Sequence, residues 1–278
     1  MSKNNAWGGT PLIDESEIFG DLTEHRGTTL LLGRYTMAEV LGVLEKKGFF
    51  KQARKRGYGP LRFALDSSAY PLQRFQIFLG RAVPEMLMVD LKIRESAFDP
   101  RDRGLPESVP GPARTLNFEW LTLQNPRAEF TDKRGALPGQ LHPSLGLSRP
   151  ILEIFVFLGK RTHKDALLAF PAYCHNAILF SHWFRFIRPE KQGEILAVQR
   201  ACRGLSIKQL AWIVHLNCLR ASDGSIYEWR AEEQMLPLKR EWSSYFDSRA
   251  YRERVKEADR SLSFSIDREA YERKVQAD

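Results

Sequence analysis

The sequence lacks the long apolar runs of membrane proteins and contains little cysteine. Its longest apolar run, residues 151–159, is about half of the roughly 20 residues that a helix needs to cross a bilayer. The first residues are polar and acidic rather than basic and then apolar, so we expect a cytoplasmic protein with no membrane span. Three cysteines, Cys174, Cys202 and Cys218, exclude a disulfide framework and a four-cysteine zinc site, which favours free thiols in a reducing compartment.

Acidic residues are missing from residues 46–62, where seven cations gather. These cations account for nearly the whole net charge of +8. Three aromatic residues lie among them, and this composition is typical both of a phosphate-holding, base-stacking surface and of a solvated helix face. The cations are Lys46, Lys47, Lys51, Arg54, Lys55, Arg56 and Arg62.

The rest of the composition is that of a globular protein that mixes helices and strands. Of its 278 residues, 43% are hydrophobic and 27% charged, enough for one large core or two modest ones. Thr36 and Glu39 form a capping box that predicts a helix with an apolar face at Met37, Val40 and Leu44. Further helices are predicted at 49–56, 151–158, 173–187, 195–202, 207–219 and 249–260, and strands at 28–35, 61–66, 74–80, 85–93, 116–124, 165–172, 226–238 and 262–266.

A glycine loop lies between the strand at 116–124 and the helix at 151–158. Pro150 suits the first position of that helix, and Arg149 its N-cap. The N–H groups of Leu145, Gly146, Leu147 and Ser148 would then point at a phosphate-bearing ligand, with the Ser148 hydroxyl and the Arg149 charge beside them. A plain glycine turn into a helix explains the same residues without a ligand.

Glu119 is the candidate base. Alternation places Asn117, Glu119, Leu121 and Leu123 on one face of the strand, so Glu119 is expected in an apolar neighbourhood that raises a carboxyl pKa. An exposed or ion-paired acid is the alternative.

The histidines and cysteines give weaker indications. We expect His142 to be a solvated loop residue. Cys174 and His175 would point about 100° apart on a helix, which argues against a nucleophile pair. His215 and Cys218 are expected to pack in the core.

This order of elements resembles the GNAT acyltransferase superfamily over residues 28–190. Four segments carry the resemblance: the strand WLTLQNP that ends at Pro126, the sequence Gly146-Leu147-Ser148, the strand ALLAFPA, and His175-Asn176-Ala177 with the aromatic residues that follow. The resemblance implies an α/β (α+β) fold with a mixed, splayed sheet flanked by helices. It divides the chain into an N-terminal arm (1–26), an acyltransferase-like core (27–190) and a C-terminal extension (191–278) that completes the sheet and adds helices.

The resemblance also implies acyl-coenzyme A as cosubstrate and an amine as acceptor, with no metal. The residues that would contact the cosubstrate lie on the fourth strand, in the loop and on the helix at 173–187: Leu123, Gln124, Gln140, Leu145, Gly146, Leu147, Ser148, Arg149 and Asn176. The family's tyrosine acid has its equivalent at Trp183, so Tyr173 is the nearest substitute; otherwise water protonates the thiolate, or activity is altered or lost.

Three functions therefore stay open from the sequence. The first is acyl transfer from acyl-coenzyme A to a small-molecule or protein amine by direct attack. The second is a non-catalytic module that binds nucleic acid or protein through residues 46–62. The third is acyl transfer from an acidic acyl carrier protein that docks on the same basic residues.

Overall fold

The computed structural model describes residues 29–131 and 135–275. The predicted arm, residues 1–26, lies outside these ranges, and the division at residue 190 stays a prediction. The strands are β1 (Leu61–Asp66), β2 (Gln73–Leu79), β3 (Leu87–Phe98), β4 (Ala113–Leu123), β5 (Ala166–Ala169), β6 (Arg185–Phe186), β7 (Leu219–Ala221), β8 (Gln234–Pro237) and β9 (Phe264–Ile266). The helices are α1 (Met37–Lys46), α2 (Phe49–Lys55), α3 (Ser148–Arg161), α4 (Cys174–Phe180), α5 (Pro189–Ala201), α6 (Ile207–His215), α7 (Arg240–Asp247), α8 (Arg249–Ser261) and α9 (Arg268–Val275).

The fold is mixed α/β. Seven strands form one mostly antiparallel sheet in the order β1-β2-β3-β4-β5-β8-β6, and β7 and β9 form a second, two-stranded sheet. The pair β4–β5 is parallel. No helix within the described ranges combines the length and apolarity that crossing a membrane requires.

The internal contacts of the chain divide it into two compact units. Unit 1 comprises Met1–Lys92, Trp120–Ala128 and Ser144–Ile154, and unit 2 comprises Ile93–Glu119, Glu129–Pro143 and Phe155–Asp278.

The first helix in the described part of unit 1 is capped. The Thr36 side chain accepts from the Glu39 N–H, and the Thr36 N–H donates to the Glu39 carboxylate, which confirms the predicted capping box. Helix α2 follows, as predicted, and buries Phe49 and Phe50. The two rings meet edge to face at 5.6 Å, and Phe50 meets Phe63 of β1 at 5.9 Å. These aromatic contacts tie the basic helix α2 to the sheet.

The strand predicted at residues 28–35 is wrong in its described part. Leu31 and Tyr35 form an isolated bridge across a tight turn in which Leu32 and Gly33 have positive φ values of 54° and 64°. Leu31 and Leu32 are both buried although they are neighbours. The apolar run therefore packs as a turn, because both leucines reach the core without the alternation of a strand.

Two apolar clusters pack the helices in the described part of unit 2. One packs α4, α5 and α6 around Phe186 and Val198, and the other packs α7 and α8 around Trp242 and Phe246. Helices α5 and α8 approach closely at Gly193, where an added Cβ would lie 2.5 Å from the Ala258 Cβ. Glycine is required there because the two helix backbones come too close for a side chain.

Two longer elements predicted in unit 2 are wrong. The helix predicted over 173–187 ends at Phe180, and the chain then turns into β6. The Ser181 hydroxyl donates to the Ile178 carbonyl at 2.7 Å and so satisfies a carbonyl of the last turn. The strand predicted over 226–238 is reduced to β8, because Tyr227 instead donates its N–H to Leu219 at 2.8 Å.

Candidate functional site

The predicted glycine loop follows β4 in unit 1. β4 ends at Leu123, and Gln124 forms an isolated bridge with Ser144. The Leu145 N–H then donates to the Leu123 carbonyl at 3.3 Å. These contacts hold Ser144 and Leu145, which directly precede Gly146, against the end of β4.

Gly146 gives the loop its bend. It has a φ of +70°, a left-handed conformation that strains any residue with a Cβ. Its neighbours Leu145 and Leu147 are buried, whereas Gly146 is exposed. The buried leucines therefore fix the backbone on both sides of Gly146, and the solvent-facing side of the bend carries no side chain.

Helix α3 begins at Ser148, three residues before the helix predicted over 151–158 and two residues before Pro150. Neither Arg149 as N-cap nor Pro150 at the first helical position is right. The Ile151 N–H donates to the Leu147 carbonyl at 3.3 Å, and this first helical bond makes Leu147 the cap. Pro150 still lies in the first turn, where its missing N–H leaves no bond unmade.

The start of α3 presents unpaired donors. Among the described residues, none accepts a hydrogen bond from the N–H groups of Leu147, Ser148 and Arg149. The aligned peptide dipoles of this 14-residue helix add partial positive charge at the same place. The loop therefore offers what a phosphate group requires.

Helix α2 supplies a cation to this loop. A Cβ added to Gly146 would lie 3.5 Å from Nε and 4.0 Å from Nη2 of Arg56, so the guanidinium borders the glycine. The Tyr58 hydroxyl donates to the Leu145 carbonyl at 3.2 Å. The sequence indicates the basic segment and the loop separately but not their proximity, because no local pattern joins residues about ninety positions apart.

The predicted Arg149 charge is partly neutralised. Its Nε lies 2.9 Å from Oε1 of Glu153, one turn further along α3, and both side chains are well exposed. Ser148 is exposed at the helix start. Arg56 is thus the cation that borders Gly146. Arg149, in the first turn of α3, has a carboxylate partner.

The two predicted glutamines are already engaged. The Gln124 N–H donates to the Met88 carbonyl at 2.9 Å, and its side chain donates to Leu87 at 3.0 Å. Gln140 lies in unit 2, where its side chain accepts from the Leu137 N–H at 3.1 Å and closes a separate turn. The Gln124 N–H, where contact with the cosubstrate is expected, is therefore used within the sheet.

Glu119 does not lie in the apolar neighbourhood that the sequence predicts. Its Oε1 is 2.7 Å from Nε of Arg94, and its side chain is 35% exposed. The neighbouring strand brings a guanidinium to this face, which alternation along β4 alone cannot reveal. The structure thus supports the alternative of an ion-paired acid.

Asn117 lies two residues before Glu119 and has an unusual environment. Its Oδ1 is buried and has no hydrogen-bond partner within the described part of the chain. In the sheet, Asn117 pairs with Leu168 of β5. The next pair, Phe118 with Ala169, is the last between the two strands. An acceptor without a partner is costly when buried, so a ligand that donates a hydrogen bond would stabilise it.

Tyr173 lies in a cluster of aromatic rings in unit 2. It precedes α4 and stacks on His175 with ring centroids 5.3 Å apart, and His215 of α6 lies 5.9 Å away. A Cβ added to Gly139 would be 2.6 Å from the Tyr173 hydroxyl, so this glycine lets the chain pass the ring. A cavity of about 230 Å³ adjoins the three rings and Cys174.

His175 is held neutral in this cluster. Burial, with a smaller contribution from His215, lowers the pKa of His175 to about 4. Burial likewise raises the pKa of the adjacent Cys174 thiol to about 12. The thiol is therefore protonated at neutral pH, which agrees with the expectation that these two residues form no nucleophile pair.

The remaining predicted residue, Asn176, lies in the first turn of α4, where its N–H donates to the Tyr173 carbonyl at 3.1 Å. Trp183 lies beyond the end of α4, in the turn that leads to β6. It is therefore not on the helix that was predicted to carry it.

No group of three or more histidine, cysteine, aspartate or glutamate residues in the described ranges is arranged to hold a metal ion. No family model matches the chain, and neither a curated protein nor a solved structure matches it.

Proposed function

We propose that this protein is an acyltransferase of GNAT-like fold that moves an acyl group from acyl-coenzyme A to an amine acceptor. The observation that supports it most is the loop in unit 1, where the unpaired N–H groups at the start of α3 directly follow Gly146, which borders the Arg56 guanidinium. Coenzyme A carries a diphosphate, and backbone donors at a helix start with a neighbouring cation are suited to that group.

The course of β4 also favours a GNAT-like fold. It pairs with β5 only as far as Phe118, and it then continues to Leu123, five residues beyond its last partner in β5. A parallel pair that ends before the strand does leaves backbone groups available to a ligand. This is the feature expected of a splayed sheet.

The proposed reaction is direct attack in a ternary complex. The amine nitrogen attacks the thioester carbonyl, the carbon–nitrogen bond forms, and the carbon–sulfur bond breaks with loss of the thiolate. Glu119 would accept the proton of the amine, and Tyr173 or water would protonate the thiolate. The unpaired Asn117 Oδ1 supports an amine acceptor, since it could accept an N–H close to Glu119 along β4.

Thermal stabilisation by coenzyme A, acetyl-coenzyme A and longer acyl esters tests the binding step. We expect a rise in melting temperature that grows with ligand concentration, and its absence for all esters would remove acyl-coenzyme A from the proposal. For the chemical step, Glu119→Gln should abolish turnover and keep coenzyme A affinity, whereas the exposed Glu107→Gln should change neither. Unchanged turnover in Glu119→Gln would exclude Glu119 as the base.

One observation favours a second candidate, a binding module. Lys51 and Lys55 of α2 are exposed, and neither forms an ion pair with a described residue, whereas Arg54 lies 3.9 Å from Glu45. A nucleic-acid partner would bind with a steep salt dependence that collapses when the cations of α2 are neutralised. An acyl carrier protein as donor would instead bind to these cations while free coenzyme A gives little stabilisation.

A further inference from the structure

A cavity of about 390 Å³ lies in unit 2 and shares one lining residue, Glu228, with the cavity beside the Tyr173 cluster. Its volume is in the range of sites for small ligands. Charged and hydroxyl-bearing side chains dominate its lining: Lys191, Glu194, Tyr227, Glu228, Arg230 and Glu232.

Lys191 lines this cavity and is only 4% exposed. Its Nζ lies 2.6 Å from Oε1 of Glu194, one turn further along α5, and 4.4 Å from the centre of the Trp229 ring. The Tyr227 hydroxyl donates to the same Glu194 oxygen at 2.6 Å. One carboxylate oxygen thus receives two donors, while the ammonium group rests on an aromatic face.

The hydrogen bonding of Lys191 is incomplete. An ammonium group has three donors, and Glu194 is the one hydrogen-bond acceptor that the described residues offer it. A buried ion pair adds little stability on its own, because apolar residues of similar volume do as well or better. A buried lysine that faces a cavity with donors to spare is therefore suited to an anionic ligand group.

The rim of the cavity adds charges of both signs. Glu228 and Arg230 are exposed, lie two residues apart, and form no ion pair with any residue in the described ranges. Glu232 has only a loose partner, Arg188, at 3.8 Å. Burial raises the pKa of Glu232, with Lys191 and Arg188 opposing and Glu194 and Glu233 adding to the rise. A ligand cation beside Glu232 would stabilise its charged carboxylate and so offset the cost of burying that charge.

We propose that this cavity binds a small zwitterion with one ammonium and one carboxylate group, of which an α-amino acid is the simplest class. The carboxylate lies against Lys191 and Arg230, and the ammonium against Glu228 and Glu232. Ala221, Ile226 and the Tyr227 ring supply an apolar wall for the rest of the ligand. A ligand with one charge leaves either the cations or the carboxylates without a partner, so the cavity selects for both charges together.

This inference does not rest on the proposed acyl transfer, because it uses only residues of unit 2 and concerns binding alone. Failure of coenzyme A to bind leaves it unchanged, and failure of amino acids to bind leaves the proposed function unchanged.

Calorimetric titration of the full chain with L-leucine, L-phenylalanine, L-glutamate and L-lysine tests it. We expect saturable binding of at least one of them. For that amino acid, the methyl ester removes the carboxylate and the N-acetyl derivative removes the ammonium, and each should bind about tenfold more weakly or worse. If none of the four binds, or if either derivative binds as tightly as its parent, the proposal is overturned.

Two variants locate the site. Arg230→Gln and Glu228→Gln should each weaken binding about fivefold or more, since each removes one charged partner of the ligand. Arg252→Gln and Glu257→Gln remove the same two charges from exposed positions of α8 outside the cavity and should change nothing. If the two α8 variants weaken binding as much as the two cavity variants, or if none of the four weakens it, the assignment is contradicted.

Discussion

Replacement of Arg56 by glutamine tests the proposed phosphate site most sharply. The guanidinium borders Gly146, with Nε 3.5 Å from the position of an added Cβ. Glutamine keeps much of the aliphatic stem and removes the charge, so the fold of α2 should be preserved. The variant therefore isolates the electrostatic contribution of one cation to a ligand at the start of α3.

The magnitude follows from the exposure of Arg56. Two unit charges about 4 Å apart interact by about 1 kcal/mol in water and about 4 kcal/mol near a protein surface. Arg56 is exposed, so we take the lower part of this range, about 1–2 kcal/mol, which corresponds to an increase of about 5- to 30-fold in the dissociation constant of coenzyme A.

Calorimetric titration with coenzyme A measures this change. The matched control is Lys46→Gln, which removes an exposed cation from the end of α1 and should alter affinity by less than about twofold. The difference between Arg56→Gln and the parent protein should also shrink at high salt, because salt screens an exposed pair. Equal effects of Arg56→Gln and Lys46→Gln would refute a specific phosphate contact and would favour general attraction by the basic segment.

Three further predictions concern the fold. Phe49→Ala removes a fully buried ring and should lower the free energy of unfolding by about 3–5 kcal/mol in urea titrations; a loss below about 1 kcal/mol would contradict its place in the core. Gly193→Ala should destabilise by about 1–3 kcal/mol, because its Cβ would lie 2.5 Å from that of Ala258. Gly42→Ala, whose Cβ meets nothing within 4 Å, should stabilise α1 by up to about 1 kcal/mol; equal effects of the two alanines would show that helices α5 and α8 are not in close contact. Finally, burial lowers the pKa of His175 from 6.5 to about 4, so between these pH values the unfolded chain binds a proton that the folded chain does not. Stability should fall by up to about 3 kcal/mol as the pH drops through this window, and His175→Gln should flatten the pH profile; an unchanged profile would rule out a buried neutral imidazole.

Elements whose causes are local could be predicted from the sequence. The capping box of Thr36 and Glu39 requires only four consecutive residues, and α1 and α2 form where the pattern places them. The helix predicted at 151–158 is present, and it extends three residues further at each end, from Ser148 to Arg161. In each case the residues that determine the element lie within it.

Elements that depend on contacts between residues far apart in the sequence could not be predicted. The leucines at 31 and 32 were assigned to a strand because they are apolar, yet they pack within a turn of positive φ. Glu119 was expected among apolar side chains because the partner strand that provides Arg94 cannot be seen from β4 alone. The same limit hid the contact between Arg56 and Gly146, on which the candidate site now depends.

Hydrogen exchange of the loop amides, followed by mass spectrometry with and without acetyl-coenzyme A, tests the central claim most directly. If the N–H groups of Leu147, Ser148 and Arg149 donate to a diphosphate, peptides that cover residues 144–151 should exchange more slowly in the presence of the ligand, and less so in Arg56→Gln. Protection elsewhere in the chain with no change over 144–151 would contradict the account.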